Sequence, residues 1–324
     1  MSYIPQIEFF KKRPFGDKLN ATFVFIRENS KPFFKAQLLV AGPILLLITI
    51  IINQFSFDFM GMGFAEQDFT ASDIMRFVKL YGLLVISGII TGAVMPSVIY
   101  GYMNKYQTTE PNMITNNDIT SGLGSKIFNI IGFNILATIV LALVAFVLSF
   151  IIGITANASV FLVVIFVIVT FCLLTYIIVT MSLGPSVIVF EDNNPIDAIG
   201  RCFKLIAGKW WSTFGLMVVM AILGAIINQL FGLPRAILFG IKAFTSFEEG
   251  GDFSQIVEMT SGEQALNILF SVFETFGTII SNSLLFIALA FQYFNLVERK
   301  ESRGLMSQIE SIDEQQEEED DEVY

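Results

Sequence analysis

Near the C-terminal end of the chain, in its least apolar long hydrophobic stretch, Asn267, Ser271, Glu274, Thr278 and Asn282 recur at i, i+4, i+7, i+11 and i+15. On a helix these positions form a polar stripe along one face. A stripe of this kind, turned toward a cavity between helices, could hold a proton, a cation or a polar head through Glu274. A carboxylate at the centre of a bilayer costs about 2.5–3.5 kcal/mol on insertion scales, so such a group is either functional or placed elsewhere. The competing use is structural: the helix begins in water, Glu274 is interfacial, and Ser, Thr and Asn join neighbouring helices.

Other chemistry is sparse. The sequence contains no His, which removes the commonest general base, and only two Cys, Cys172 and Cys202. Neither a disulfide framework nor a Cys/His zinc site can be assembled from them. No nucleophile elbow, zinc-protease helix or complete phosphate-binding loop is present, and no acidic pair falls within an apolar span. The sequence therefore predicts no catalytic residues, no metal and no cofactor. The net charge of −10 comes largely from the acidic end, residues 314–322, and no basic nucleic-acid footprint accompanies it.

The elements that must position the stripe are apolar and long. Of 324 residues, 54% are hydrophobic and 15% charged, which is too apolar for an ordinary soluble domain. Six stretches can supply the roughly 20 residues a bilayer requires: 37–54, 80–101, 127–153, 159–183, 211–231 and 272–297. Barrel strands would alternate, whereas Val160 to Val169 is unbroken. After the fifth span, residues 233–242 read as a surface helix with Pro234 near its start, and Thr70-Ala-Ser-Asp73 and Thr260-Ser-Gly-Glu263 read as capping boxes.

The stretch from Gly184 to Leu223 organises the rest. Asn194-Pro195 has the form of a helix start, since Asn caps free amides and Pro is tolerated at the first helical position. Ile196, Ile199, Phe203 and Ile206 then share a face suited to a membrane surface, and Lys209-Trp210-Trp211 leads into the next span at headgroup depth. The N-terminus repeats the spacing with Leu19, Phe23, Ile26 and Lys31-Pro-Phe33-Phe34, and Asp118 to Phe128 carries a weaker copy. Pro96-Ser-Val-Ile and Pro185-Ser-Val-Ile are identical. The pattern predicts three units, each a surface helix followed by two crossings. Phe33, Phe34, Trp210 and Trp211 become interface anchors, and Gly88 with Gly92 forms a small-residue face for helix packing.

With six spans both termini share one side. That side carries fifteen Lys and Arg against four (Arg76, Lys79, Arg235 and Lys242) on the other, which places the termini in the cytoplasm. Three segments follow: 1–36 with an amphipathic helix, 37–298 as the transmembrane domain, and 299–324 as an acidic tail expected to be disordered.

The string VIVFEDNNPIDAIGRCFKLIAGKWWSTFG (187–215), with FQYFNLVERKE (291–301), resembles the membrane domain found with bacterial glycerophosphoryl diester phosphodiesterases and its stand-alone six-span relatives. Ala198 to Phe203 and Lys209 to Phe214 match the phrase that opens the fifth span in those relatives. Tyr293 to Glu301 match the phrase that closes the sixth, with Asn295 where the family usually has Asp. The N-terminal phrase KKRPFGDKLNATFVFIRENSKPFF is similar to stand-alone members from Bacteroidetes-type bacteria. The resemblance implies the membrane topology and a bacterial inner membrane; the phosphodiesterase barrel has no counterpart in this chain.

The expected fold is all-α and polytopic, six transmembrane helices as three pseudo-repeated hairpins with cytoplasmic surface helices. The expected role is a non-catalytic accessory or scaffold subunit that organises lipid or partner proteins in the plasma membrane, without nucleic acid. The alternative is a transporter or lipid-handling protein with a polar cavity at Glu274 and Asn282.

Overall fold

The computed structural model describes residues 7–60, 71–155, 159–248, 259–306 and 309; Thr70 of the expected cap at 70–73, residues 156–158 and most of the acidic tail lie outside them. The chain is all-helical, with no strand among the described residues. The helices are α1 (Phe15–Val40), α2 (Gly42–Met60), α3 (Ala71–Tyr106), α4 (Asn116–Thr120), α5 (Leu123–Thr155), α6 (Val160–Met181), α7 (Gly184–Glu191), α8 (Pro195–Ile206), α9 (Trp210–Glu248) and α10 (Ser261–Glu301). Among the described residues five segments are long and apolar enough to cross a membrane: 74–106, 123–155, 160–191, 210–246 and 261–301. A sixth is obtained if α1 and the first part of α2, bent by 56° at their junction, count as one. Helices suit this composition because each satisfies its own backbone polar groups without water.

Two boundaries differ from the sequence reading. The sequence divides the first surface helix from the first span near residue 36, but α1 runs through Pro32 to Val40 and breaks at Ala41. Gly42 and Pro43 then open α2, where the missing proline N–H would have had no intrahelical partner. The expected surface helix at 233–242 is instead the continuation of α9, which passes through Pro234. Long-range contacts hold it there: Arg235 Nη1 lies 2.9 Å from Glu274, and Lys242 Nζ lies 3.2 Å from Glu263, both across to α10. At 1.5 Å per residue α9 and α10 each extend about 60 Å, twice a ~30 Å hydrocarbon layer.

Local signals hold where the cap is in the sequence. Asn194 accepts hydrogen bonds from the amides of Ile196 and Asp197, and Thr260 forms the capping box with Glu263. Gly184 opens α7 because Phe133 of α5 lies against it; a Cβ there would overlap the ring.

The core sits where α1, α3, α7 and α10 meet. The two Pro-Ser-Val-Ile strings are buried in α3 and α7, which pack together with the Tyr100 and Phe190 rings 5.3 Å apart. Phe25, Phe33, Tyr102, Tyr106 and Phe291 continue it as edge-to-face pairs. The most apolar window of α3 or α10 is 44% buried, whereas that of α5 is 6% and that of α6 11%. The α5–α6 pair is therefore peripheral.

Candidate functional site

Among the described residues a network of ion pairs forms where α7, α8 and the C-terminal end of α10 meet. Asp192, in the left-handed region at φ 55°, ends α7 and turns the chain, so that α8 folds back with Arg201 facing Glu191. Arg201 donates from Nε to Glu191 Oε2 (2.9 Å) and from Nη2 to Glu191 Oε1 (2.8 Å), the bidentate geometry a planar guanidinium favours. Its Nη2 also lies 2.5 Å from Glu301 Oε1. Tyr293 Oη donates to Glu191 Oε1 (2.9 Å), Asn193 Nδ2 to Glu191 Oε2 (3.0 Å), and Arg303 flanks Glu301 at 2.8 Å. Burial alone would lower the Arg201 pKa, but hydrogen bonds and charge from Glu191 and Glu301 more than offset it and hold the guanidinium above its ordinary value. Beside it, burial pushes the Cys202 thiol up to about 12, with the Glu191 charge adding to the effect.

A second polar group lies nearby, between α1, α9 and α10. Lys18 is 2% exposed, and its Nζ donates to Gln292 Oε1 (2.7 Å) and Ser212 Oγ (2.9 Å). Gln292 Nε2 passes the chain on to Thr213 Oγ1 at 2.8 Å. Asn295 accepts from the Arg13 amide (2.8 Å) and from Arg299 Nε (3.2 Å). The Arg13 guanidinium lies over the Phe291 ring, and burial pulls its pKa down against the opposing charges of Glu8 and Asp17. The Gly304 amide donates to Glu298 Oε2 at 2.7 Å. Both groups draw on the phrases 187–215 and 291–301, which are far apart in sequence and adjacent here.

The stripe predicted on the last helix divides. Asn267 and Ser271 are buried with Thr275, and Ser271 Oγ and Thr275 Oγ1 donate to backbone carbonyls one turn back, Asn267 O and Ser271 O. Thr275 also meets Thr49 of α2 at 3.4 Å, and the Asn267 side-chain oxygen is buried without a hydrogen bond. Glu274 turns toward α9 and pairs with Arg235, Thr278 donates to Glu274 O, and Asn282 is half-buried. Beside Thr275, a largely apolar groove of about 440 Å³ runs between the α1–α2 break (Leu38, Gly42, Pro43, Leu46) and α10.

Of the interface anchors, Trp211 is 77% exposed, while Trp210 and Phe34 are half-buried. Trp210 stacks on Phe214 and donates from its ring N–H to Tyr176 O. Phe33 is wholly buried against Phe25 and Tyr102, so its ring has no face left for an interface. Gly92 packs against Asn134 of α5, whose Nδ2 would stand 3.2 Å from a Cβ, whereas Gly88 lines an open groove between the same helices. Sequence reasoning did not single out Glu191, Arg201, Tyr293, Lys18 or Gln292. The available signal was their place in three phrases of the sequence: Glu191 and Arg201 in 187–215, Tyr293 and Gln292 in 291–301, and Lys18 in 11–34. Among the described residues no group of three or more His, Cys, Asp or Glu is placed to hold a metal ion.

Set beside known protein families, residues 35–292 match the family model described as a domain of unknown function, DUF7847. No curated protein and no solved structure matches the chain.

Proposed function

The chain belongs to the DUF7847 family, a domain of unknown function, and from that premise we propose that it is a non-catalytic multi-pass membrane protein: an accessory or scaffold subunit that organises lipid or partner proteins. The observation that carries this reading is how the junction spends its charges. Glu191 accepts from Arg201, Tyr293 and Asn193, and Arg201 binds Glu191 and Glu301 together. These groups fasten three helix ends to one another, which suits a rigid platform. Outside them stand the exposed Lys209 and Trp211, the side chains a headgroup layer accommodates.

Six crossings in three pseudo-repeats belong to the same proposal. In its support, Phe23 and Phe203 both point outward while the paired positions 22 and 202, and 25 and 205, are wholly buried. The middle copy is reduced to the five residues of α4. The excess of Lys and Arg on the junction side supports cytoplasmic termini, and the family likeness seen in the two phrases supports a bacterial inner membrane, extending to the membrane domain alone. The role is tested by purifying the tagged protein from native membranes: a reproducible partner, or an altered lipid order in vesicles containing it, is the expected result. Neither effect in a folded preparation would end the reading.

A second reading is transport of a polar solute or handling of lipid near Glu274 and Asn282, supported by the partly exposed Glu274–Arg235 pair between α9 and α10; the buried, unpartnered Asn267 oxygen lies with Ser271 and Thr275 on the part of the stripe that Glu274 has left. Proteoliposome flux lost in Glu274→Ala with Asn282→Ala would establish it. Flux unchanged by that pair would remove the site.

A further inference from the structure

Lys18 presents an imbalance that the rest of the polar end does not. Its ammonium is buried, and its two hydrogen-bond partners, Ser212 and Gln292, are neutral. Arg299, bonded to Asn295 one turn beyond Gln292, and Lys209, whose carbonyl accepts from the Ser212 amide, bring two further charges to the same helix ends, both positive and both exposed. Burying a cation among neutral and like-charged groups is costly, and an anion held close by would offset that cost. The first turn of α9, starting at Trp210, adds the positive end of a helix dipole, of the same electrostatic sign.

The surroundings specify the anion further. The exposed Trp211 and the partly exposed Phe15 ring, 5.9 Å from the Lys18 Nζ, give the site an apolar rim. A rim of that kind belongs at the depth of lipid headgroups rather than in bulk water. We propose that Lys18, Lys209 and Arg299 form a binding site for the phosphate of an anionic glycerophospholipid, seated at the start of α9. This inference rests on the lipid-organising reading above and gives it a ligand class and a location. Each exposed cation contributes attraction equivalent to about a fivefold change in affinity for an anionic lipid.

The two tryptophans of the chain, Trp210 and Trp211, adjoin Lys209, so their fluorescence reports on this place alone. The protein is reconstituted with brominated phosphatidylglycerol, and separately with brominated phosphatidylcholine, and quenching is measured at fixed ionic strength. The expected result is a preference for phosphatidylglycerol of at least about fivefold, reduced about fivefold by either Lys209→Gln or Arg299→Gln. Lys18→Met should abolish it, and the two surface variants keep the test decisive should that variant not fold. Lys31→Gln with Lys35→Gln, which removes two exposed charges from the same helix, should leave the preference intact. Equal quenching by the two lipids, or an equal loss in the Lys31/Lys35 control, overturns the site. Loss of the preference under excess inorganic phosphate at matched ionic strength overturns the lipid as its source in favour of a soluble anion. A preference seen only after residues 305–324 are deleted assigns the site to the acidic tail and overturns the lipid. A partner that still co-purifies while the lipid preference fails leaves the scaffold reading standing without this site.

Discussion

Glu191 and Arg201 lie ten residues apart in one continuous phrase, yet their pairing could not be read from it. On a single helix, positions ten apart stand about 15 Å from each other along the axis, too far for a direct pair. The pair exists because Asp192 reverses the chain and α8 folds back on α7. The acid that completes it, and the tyrosine that orients it, arrive from α10 a hundred residues later. Glu191→Gln would leave Arg201 with a weaker acceptor in a half-buried place, at an expected cost of about 1–3 kcal/mol. Thermal unfolding in detergent should show the loss, and a double-mutant cycle with Arg201→Gln should return coupling of at least about 1 kcal/mol. Additive losses would mean the two side chains do not act as a pair. Gly184 makes a sharper case, because the Phe133 ring occupies the space that any side chain at this position would need. Gly184→Ala should destabilise by about 1–3 kcal/mol through overpacking, and Phe133→Leu in the same chain should recover part of it.

At the scale of the element, apolar length and helix caps were legible because both are local. Asn194 and Thr260 start helices where the sequence placed them, and the apolar stretches are helical apart from the break at Ala41 and the residues 159, 182 and 183 that flank α6. What the sequence misread were the ends. Pro234 looked like a helix start because proline is favoured there, but the register between α9 and α10 overrides it. That register runs without a slip from Thr213–Gln292 through Gly224–Ser281, Phe231–Gly277 and Arg235–Glu274 to Lys242–Glu263. The same pairing explains why Glu274 left the predicted stripe: a cation on the facing helix draws it toward α9. The Lys242–Glu263 pair, partly exposed, should be worth no more than about 1 kcal/mol. Lys242→Glu should lower the unfolding temperature, while Lys242→Arg, which keeps a cation beside Glu263 and leaves the Thr260–Glu263 capping box intact, should not. An unfolding temperature unchanged by Lys242→Glu would show that α9 does not continue alongside α10 to this point.

For the molecule as a whole, the two cysteines supply independent probes of where lipid and packed protein lie. Cys172 is exposed on α6, the peripheral helix whose outward side chains include Phe161, Ile168 and Phe171; if α6 faces acyl chains, this thiol is out of contact with water. Cys202 is buried at the junction, and its thiol, pushed up to about 12 by burial and by Glu191, is nearly all protonated at pH 8. A membrane-impermeant maleimide should therefore label neither cysteine in intact vesicles or in opened ones, and both after denaturation in detergent. A small, lipid-soluble thiol reagent separates the two causes, since it should reach Cys172 but not Cys202 in the native protein. Raising the pH from 7 to 9 ionises most of an ordinary thiol, whose value is ~8.5, yet at pH 9 a thiol with a pKa of about 12 is only about one part in a thousand thiolate. Glu191→Gln removes the charge that helps hold the Cys202 proton and loosens the junction around it, so it should hasten Cys202 labelling while leaving Cys172 unchanged. Rapid labelling of Cys172 by the impermeant reagent would place α6 against water or another aqueous surface. The peripheral pair α5–α6, and with it the count of crossings, would then have to be redrawn.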